Sequence, residues 1–118
     1  MVDVHLLHIA HQADWHRALD AGTYDVSTRG RALDDVGYIH ASYPEQVQDV
    51  ARYVFADDPE PLRILVLDEA LVTGAGVRVE LEDGRDGELY PHIYGAIDRS
   101  WVVDVRPAAF DDAGRLRY

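Results

Sequence analysis

Residues 62–67, Leu-Arg-Ile-Leu-Val-Leu, are apolar on both parities of an extended chain except at Arg63. A strand with one wet face alternates; this one does not, so it reads as an interior strand. The rest of the chain must supply its neighbours. Residues 2–10 form a second apolar run, β-branched at its start, with His5 and His8 inside it. Its length favours a buried strand. Parity sets Val4, Leu6, His8 and Ala10 on one face and Asp3, His5, Leu7 and Ile9 on the other. Residues 77–81 alternate, with Val77, Val79 and Leu81 inward and Arg78 and Glu80 outward; residues 101–105 alternate again before Arg106-Pro107. Helical spacing occurs twice. Residues 11–21 present Trp15, Ala18 and Leu19 as an inner stripe, with Gly22 suited to the left-handed position after the helix end. Val47, Val50, Ala51 and Val54 then recur at i, i+3, i+4 and i+7.

Between these elements, residues 23–26 read as a short strand, 27–35 and 82–87 as polar loops, 56–61 as a breaker, and Gly74 and Gly76 as a turn. The order predicts an α+β fold, a mostly antiparallel sheet carrying two helices. One domain is expected over residues 1–107, followed by a weakly patterned, loosely attached tail over 108–118.

The strand-to-helix junction Gly37-Tyr38-Ile39-His40-Ala41-Ser42 carries the first polar residue of interest. Ser42 stands three residues before Glu45 with Pro44 between, the spacing of a capping box. His40 shares strand parity with Tyr38 and opposes Ile39, so with Ile39 inward it faces a cleft. Two other polar groups interrupt apolar segments: His8 in the first strand, and the region from Glu80 to Tyr94, in which His92 and Tyr94 share parity.

Composition removes several functions. Without cysteine there is no disulfide, thiolate nucleophile or cysteine metal site. All 11 basic residues are arginine, which excludes a Schiff-base lysine. Twenty-two acidic residues give a net charge of −11, the wrong sign for a duplex nucleic-acid partner. No apolar run approaches the ~20 residues of a membrane span, and Met1-Val2-Asp3-Val4 lacks the basic region of a signal peptide, so a cytoplasmic location is expected. A small anionic ligand remains compatible, with Arg29, Arg31 and Arg78 as candidate contacts. The Gly-rich phosphate motifs are missing, and Glu45 puts a negative charge at the start of the central helix.

Taken together, His8, Trp15, Gly22, Gly37-Tyr-Ile-His-Ala-Ser42, Glu80 and Tyr90-Pro-His-Ile-Tyr-Gly95 resemble the small bacterial domain-of-unknown-function family 952. The resemblance spans roughly residues 4–107; Tyr38 and Tyr90 stand where that family commonly has Phe. It implies an ADP-ribosyltransferase-like split sheet around a nicotinamide-dinucleotide cleft. On that resemblance His8 matches the first position of a triad, His40 or Tyr38 the second, and Glu80 the third. His40 and Glu80 are then the catalytic candidates, with His8, Tyr38, Ser42, His92 and Tyr94 as ligand contacts. The implied chemistry is ADP-ribosyl or phosphate transfer, with NAD as the cofactor and no metal. An imidazole would hold a ribose hydroxyl and a carboxylate would stabilise an oxocarbenium ion.

Each residue also has a plainer role. His8 in an apolar strand is commonly a hydrogen-bonded core group. Ser42 is most simply an N-cap, Glu80 a solvated charge, and the Tyr90–Gly95 stretch a rigid turn. Two competing classes follow. A non-catalytic domain would use the same cleft for a small ligand or partner. A metal site would draw on His8, His40, His92 and Glu80, although close-spaced motifs such as HExxH are missing. A serine hydrolase lacks its GxSxG elbow. The sequence leaves the oligomeric state open.

Overall fold

The computed structural model describes residues 4–84 and 87–118. The interior strand is β6, Leu62–Asp68, flanked by β1, His5–His11, and β10, Val102–Phe110. All three are antiparallel, with His8 opposite Leu65 on one side of β6 and Val105 opposite Leu65 on the other. The expected first-strand residues Val2 and Asp3 lie outside the described residues. The apolar run on both parities has its reason in the cover. Leu65 and Leu67 join Leu6, Ala10, Trp15 and Ala18 in one core, while Leu62, Ile64 and Val66 join Leu7, Ile9, Val47, Val50 and Phe55 in another. The sheet is therefore packed on both faces, by α1 (Gln12–Ala21) and by a second helical segment.

That segment starts as α3, Val47–Val50, and continues as a π-helical turn, Ala51–Phe55. The expected capping box does not form. Ser42 is used by its main chain, exchanging both hydrogen bonds with Leu7 at 2.7 and 2.8 Å. The reciprocal contact moves one residue on, where Gln46 Oε1 accepts from the Tyr43 amide at 3.0 Å.

A second sheet joins β5 (Ile39–His40), β8 (Leu89–Ile93) and β7 (Val79–Asp83) in the order β5-β8-β7, again antiparallel. It meets the first sheet at the Leu7–Ser42 bridge, so the sheet is split along that line. Two short ribbons complete the strands: β2 (Thr23–Tyr24) with β9 (Ile97–Asp98), and β3 (Val26–Thr28) with β4 (Arg31–Ala32). The α+β class and antiparallel pairing hold as expected.

Several local expectations need correction. The polar loop at 27–35 contains a hairpin and a one-turn helix, α2 (Leu33–Val36), which Gly37 ends at φ 98°, in the left-handed region that favours glycine. A further helix, α4 (Glu69–Gly74), is capped by Asp68 accepting from the Ala70 amide, so among the described residues four short α-helices replace two. Leu19 and Leu81 are exposed at 42 % and 53 %, not inward. Strand β7 extends through Glu82 and Asp83; the remainder of that expected loop at Arg85 and Asp86 lies outside the described residues. Strand β10 runs through Pro107, which stands opposite Arg63. The tail is not loose: β11 (Leu116–Arg117) pairs with the end of β10, and Leu116 is 1 % exposed. Among the described residues no helix is long and apolar enough to cross a membrane.

Candidate functional site

Where the two sheets part, β1 and β5 hold each other through a side chain. His8 is 2 % exposed; its Nδ1 lies 2.6 Å from the His40 carbonyl and its Nε2 2.8 Å from the Tyr24 hydroxyl. A carbonyl only accepts, so Nδ1 carries the proton, and Tyr24 therefore donates to Nε2. Burial, outweighing the carbonyl bond, lowers the His8 pKa to about 4, while burial and then Asp25 raise that of Tyr24. Both groups are neutral at pH 7, and in that state the chain runs in one direction, Tyr24 donating to His8 and His8 to the His40 carbonyl. His8 thus behaves as the hydrogen-bonded core group of its plainer reading, with both ring nitrogens spent inside the protein.

One face of the second sheet collects the other polar groups. His92 is the register partner of His40 on one side and of Glu80 on the other. Strand parity adds Tyr38, Tyr90, Glu82 and Tyr94 to that face. The ring of Tyr38 stacks on His92 at 3.9 Å between centroids and 8° between planes. Tyr90 and His92 each lie 5.4 Å from the His40 ring. Glu80 shares the face but is exposed, and its carboxylate turns to Arg78 at 3.3 Å. The carboxylate that reaches the histidines is Glu82. Its Oε1 accepts from Tyr94 at 2.5 Å and from His92 Nδ1 at 2.8 Å. Those two bonds, Tyr94 first, hold the Glu82 pKa below the usual carboxylate range, and the same contact raises Tyr94. The Arg78 guanidinium sits 4.6 Å from the Tyr94 ring centroid.

His40 faces a cleft, as parity predicts. Its imidazole borders one chamber of about 360 Å³, with Tyr53, Val54 and Tyr90 among its walls, and another of about 230 Å³, with Tyr38, Arg31 and Val54. Burial lowers the His40 pKa to about 4, helped by the fields of His92 and His8. A void of about 10 Å³ between His8, His40 and Ser42 is too small for a ligand. The roof comes from the π-helical turn, whose wider winding presents Tyr53 and Val54 together; such turns recur at functional sites. Arg29 clasps this roof. It donates to the Val54 carbonyl at 3.0 Å and pairs with Asp57 at 2.7 Å and Asp58 at 3.0 Å. Asp58 also accepts from His11 at 2.5 Å. Arg29 is therefore structural, and it ties the β3–β4 turn to the cleft wall.

Gly84 forms part of the larger chamber, where a Cβ would meet the Tyr90 ring at 2.2 Å. Gly84→Ala is expected to push Tyr90 from its place at a cost of about 1–3 kcal/mol. Thermal melts together with the tyrosine near-UV signal check this; a variant identical to wild type in both would overturn it.

Of the residues expected from the sequence, His40 and Tyr38 line the cleft, and His92 and Tyr94 support it from behind. Ser42 works through its backbone and His8 through the fold. Glu80 gives way to Glu82, which sequence reading left in a loop. Its one signal was its position two residues from Glu80, on the same strand parity. Tyr24 and Gln46 carried no signal, since each finds its partner only across the fold; Gln46 donates to the Leu89 carbonyl at 2.7 Å. Among the described residues, no three His, Asp or Glu side chains are grouped to hold a metal ion.

The fold and site define a small α+β protein with a split antiparallel sheet and a histidine–tyrosine cleft. Over residues 9–105 the chain matches the family described as "Protein of unknown function (DUF952)", and it belongs to that family. It is similar to protein CC0527 of Caulobacter crescentus. The crystal structure of that protein superposes with a TM-score of 0.79 at 26 % identity, covering 96 % of this chain and 93 % of that one. Its solution structure gives 0.74 at 26 % identity, covering 94 % and 90 %. Among curated proteins none matches this chain.

Proposed function

We propose that this protein binds a small ring-bearing ligand, a nucleotide or a close relative, in the cleft around His40. The observation that carries the reading is the place of His40, the one residue among those described that lines both chambers and the small void beside His8. A histidine with a pKa of about 4 is neutral at pH 7 and offers one donor and one acceptor. Flanking tyrosines supply flat apolar area with polar tips. Few convergent polar groups on mostly apolar walls are what a small-molecule site is made of.

Group transfer from a nicotinamide dinucleotide or related nucleotide, as an ADP-ribosyltransferase-like fold implies, takes its support from Glu82. Glu82 lies behind His92 and Tyr94 and lines neither chamber, so it would act on a developing oxocarbenium ion through its field and not by contact. In this reading Glu82 takes the role given to Glu80, and His8 positions the His40 backbone instead of touching ribose. Phosphate transfer draws less support, because among the described residues a single arginine, Arg31, faces the cleft. A non-catalytic ligand-binding domain is the second reading. It is favoured by the Glu82 oxygen that already accepts two hydrogen bonds.

The test is a thermal-shift titration with NAD, ADP-ribose and zinc in parallel, on wild type and His40→Ala. Ligand at about 100 times its Kd adds about 2.7 kcal/mol, a rise on the order of ten degrees for a domain this size. A nucleotide-dependent rise that vanishes in His40→Ala is the expected result. A rise with zinc alone would replace this reading with a metal site, and flat curves for every nucleotide would overturn it.

A further inference from the structure

The walls of the cleft are informative in their charge. The chain carries −11 overall, yet among the described residues no carboxylate lines either chamber. Among those residues the charged side chain on the walls is Arg31. The neighbouring arginines are committed elsewhere: Arg29 to Asp57, Asp58 and the Val54 carbonyl, Arg78 to Glu80, and Arg52 to Asp49. Arg31 has no acidic partner among the described residues. It stands on β4, facing the smaller chamber across from Tyr38. Among the described residues the larger chamber is walled by Tyr53, Tyr90, Val50, Val54, Gly84 and His40, with no charged side chain.

The two chambers thus divide the work. One offers a ring-sized apolar space between tyrosines, the other a single guanidinium, and His40 stands between them. An unpaired guanidinium recognises one carboxylate or phosphate through paired hydrogen bonds. A pyrophosphate spreads its charge over two phosphoryl groups, and the guanidinium on these walls can hold one of them by paired hydrogen bonds, leaving the other to the field of a strongly acidic protein.

Resting on the small-ligand reading of the cleft, we infer that its ligand is of mononucleotide size, a ring system carrying one anionic group, with Arg31 as the anion anchor. The ring lies in the larger chamber against Tyr53 and Tyr90. The anion, a phosphate monoester or a carboxylate, meets Arg31 in the smaller one. A whole dinucleotide is bound no better than one of its halves.

Calorimetric titration separates the possibilities, using adenosine, adenosine monophosphate, nicotinamide, nicotinic acid, nicotinamide mononucleotide and NAD as probes. These go to wild type, Arg31→Gln and His40→Ala. A charged hydrogen-bonded pair is typically worth about tenfold or more in affinity. The expected result is that an anionic ring compound binds at least tenfold more tightly than its uncharged counterpart. Arg31→Gln should abolish that difference and leave binding of the uncharged ring unchanged. Whether the monophosphates or nicotinic acid gain more identifies the anion. Equal affinity of charged and uncharged probes, or an Arg31→Gln variant that binds as wild type does, overturns the inference while ring binding lost in His40→Ala preserves the cleft. NAD binding more tightly than both mononucleotides also overturns it. Absence of binding by every probe removes the cleft reading itself, and this inference with it.

Discussion

Acidification from pH 7 to pH 4 is expected to destabilise the protein by on the order of 3 kcal/mol for each of His8 and His40, given 1.36 kcal/mol per unit of pKa shift. Both imidazoles fall from the ordinary 6.5 to about 4 on folding, His8 through burial and His40 through burial and its histidine neighbours. The sign follows from proton uptake. Between those values the unfolded chain binds protons that the folded one refuses, so stability is full above about pH 6.5 and is lost as the pH falls toward 4. Protonating His8 would also set a second N–H against the Tyr24 hydroxyl that now donates to it at 2.8 Å. The carboxylates whose pKa values are lowered, Glu82 and Asp58 among them, titrate at lower pH and add their loss below this window. Urea unfolding at pH 7, 5.5 and 4.5 measures the slope. His8→Gln should flatten part of it. A wild-type stability constant from pH 6.5 to 4.5 would show that the two rings are not held neutral by the fold.

Removing residues 111–118 is expected to cost about 3 kcal/mol or more, a loss on the order of ten degrees in Tm. The segment is short, but Leu116 fills a place in the second core beside Val47, Val50 and Phe55. Gln48 closes the end of the strand from the helix, donating to the Leu116 carbonyl at 2.8 Å and accepting its amide at 3.0 Å. Deletion would open the core, orphan both polar ends of Gln48 and bare the edge of β10, which invites strand-to-strand association. Melting temperature and light scattering of the shortened chain decide it. An unchanged Tm would mean that the core closes without Leu116. Because the segment packs under the same helical turn that roofs the cleft, its loss should also weaken ligand binding at His40.

The sequence shows its regular parts and hides its exceptions, and the reason is the range over which each is determined. Leu62 to Leu67 could only be an interior strand, because no face of it is polar. Trp15, Ala18 and Gly22 mark a helix and its stop through local spacing, and Gly22 adopts φ 88° as a left-handed C-cap. Helix α4, by contrast, is one and a half turns long, with too few residues for a period to emerge. The tail shows one buried residue in a polar setting, and its burial depends on Gln48, 68 positions earlier. Ser42 had the spacing of a cap, but the bridge to Leu7 claimed its backbone first.

The same division governs the site. Strand parity was enough to turn His40 outward, to pair it with Tyr38, and to place His92 and Tyr94 on a common face, since side-chain direction in a strand is a local property of period two. It could not choose between Glu80 and Glu82, which share that parity. Register does not make the choice either, since it sets Glu80 opposite His92; the side chains do, Glu80 turning to Arg78 and Glu82 reaching His92 and Tyr94. Nor could it assign His8, whose two ring nitrogens find partners 16 and 32 residues away. Residue type and local period thus determined which side chains are polar and which way each strand turns them, but not every burial, since Leu19 and Leu81 are exposed. Tertiary structure alone decided which polar groups satisfy one another and which, like Arg31, are left facing the cleft, because that depends on packing between elements distant in the chain.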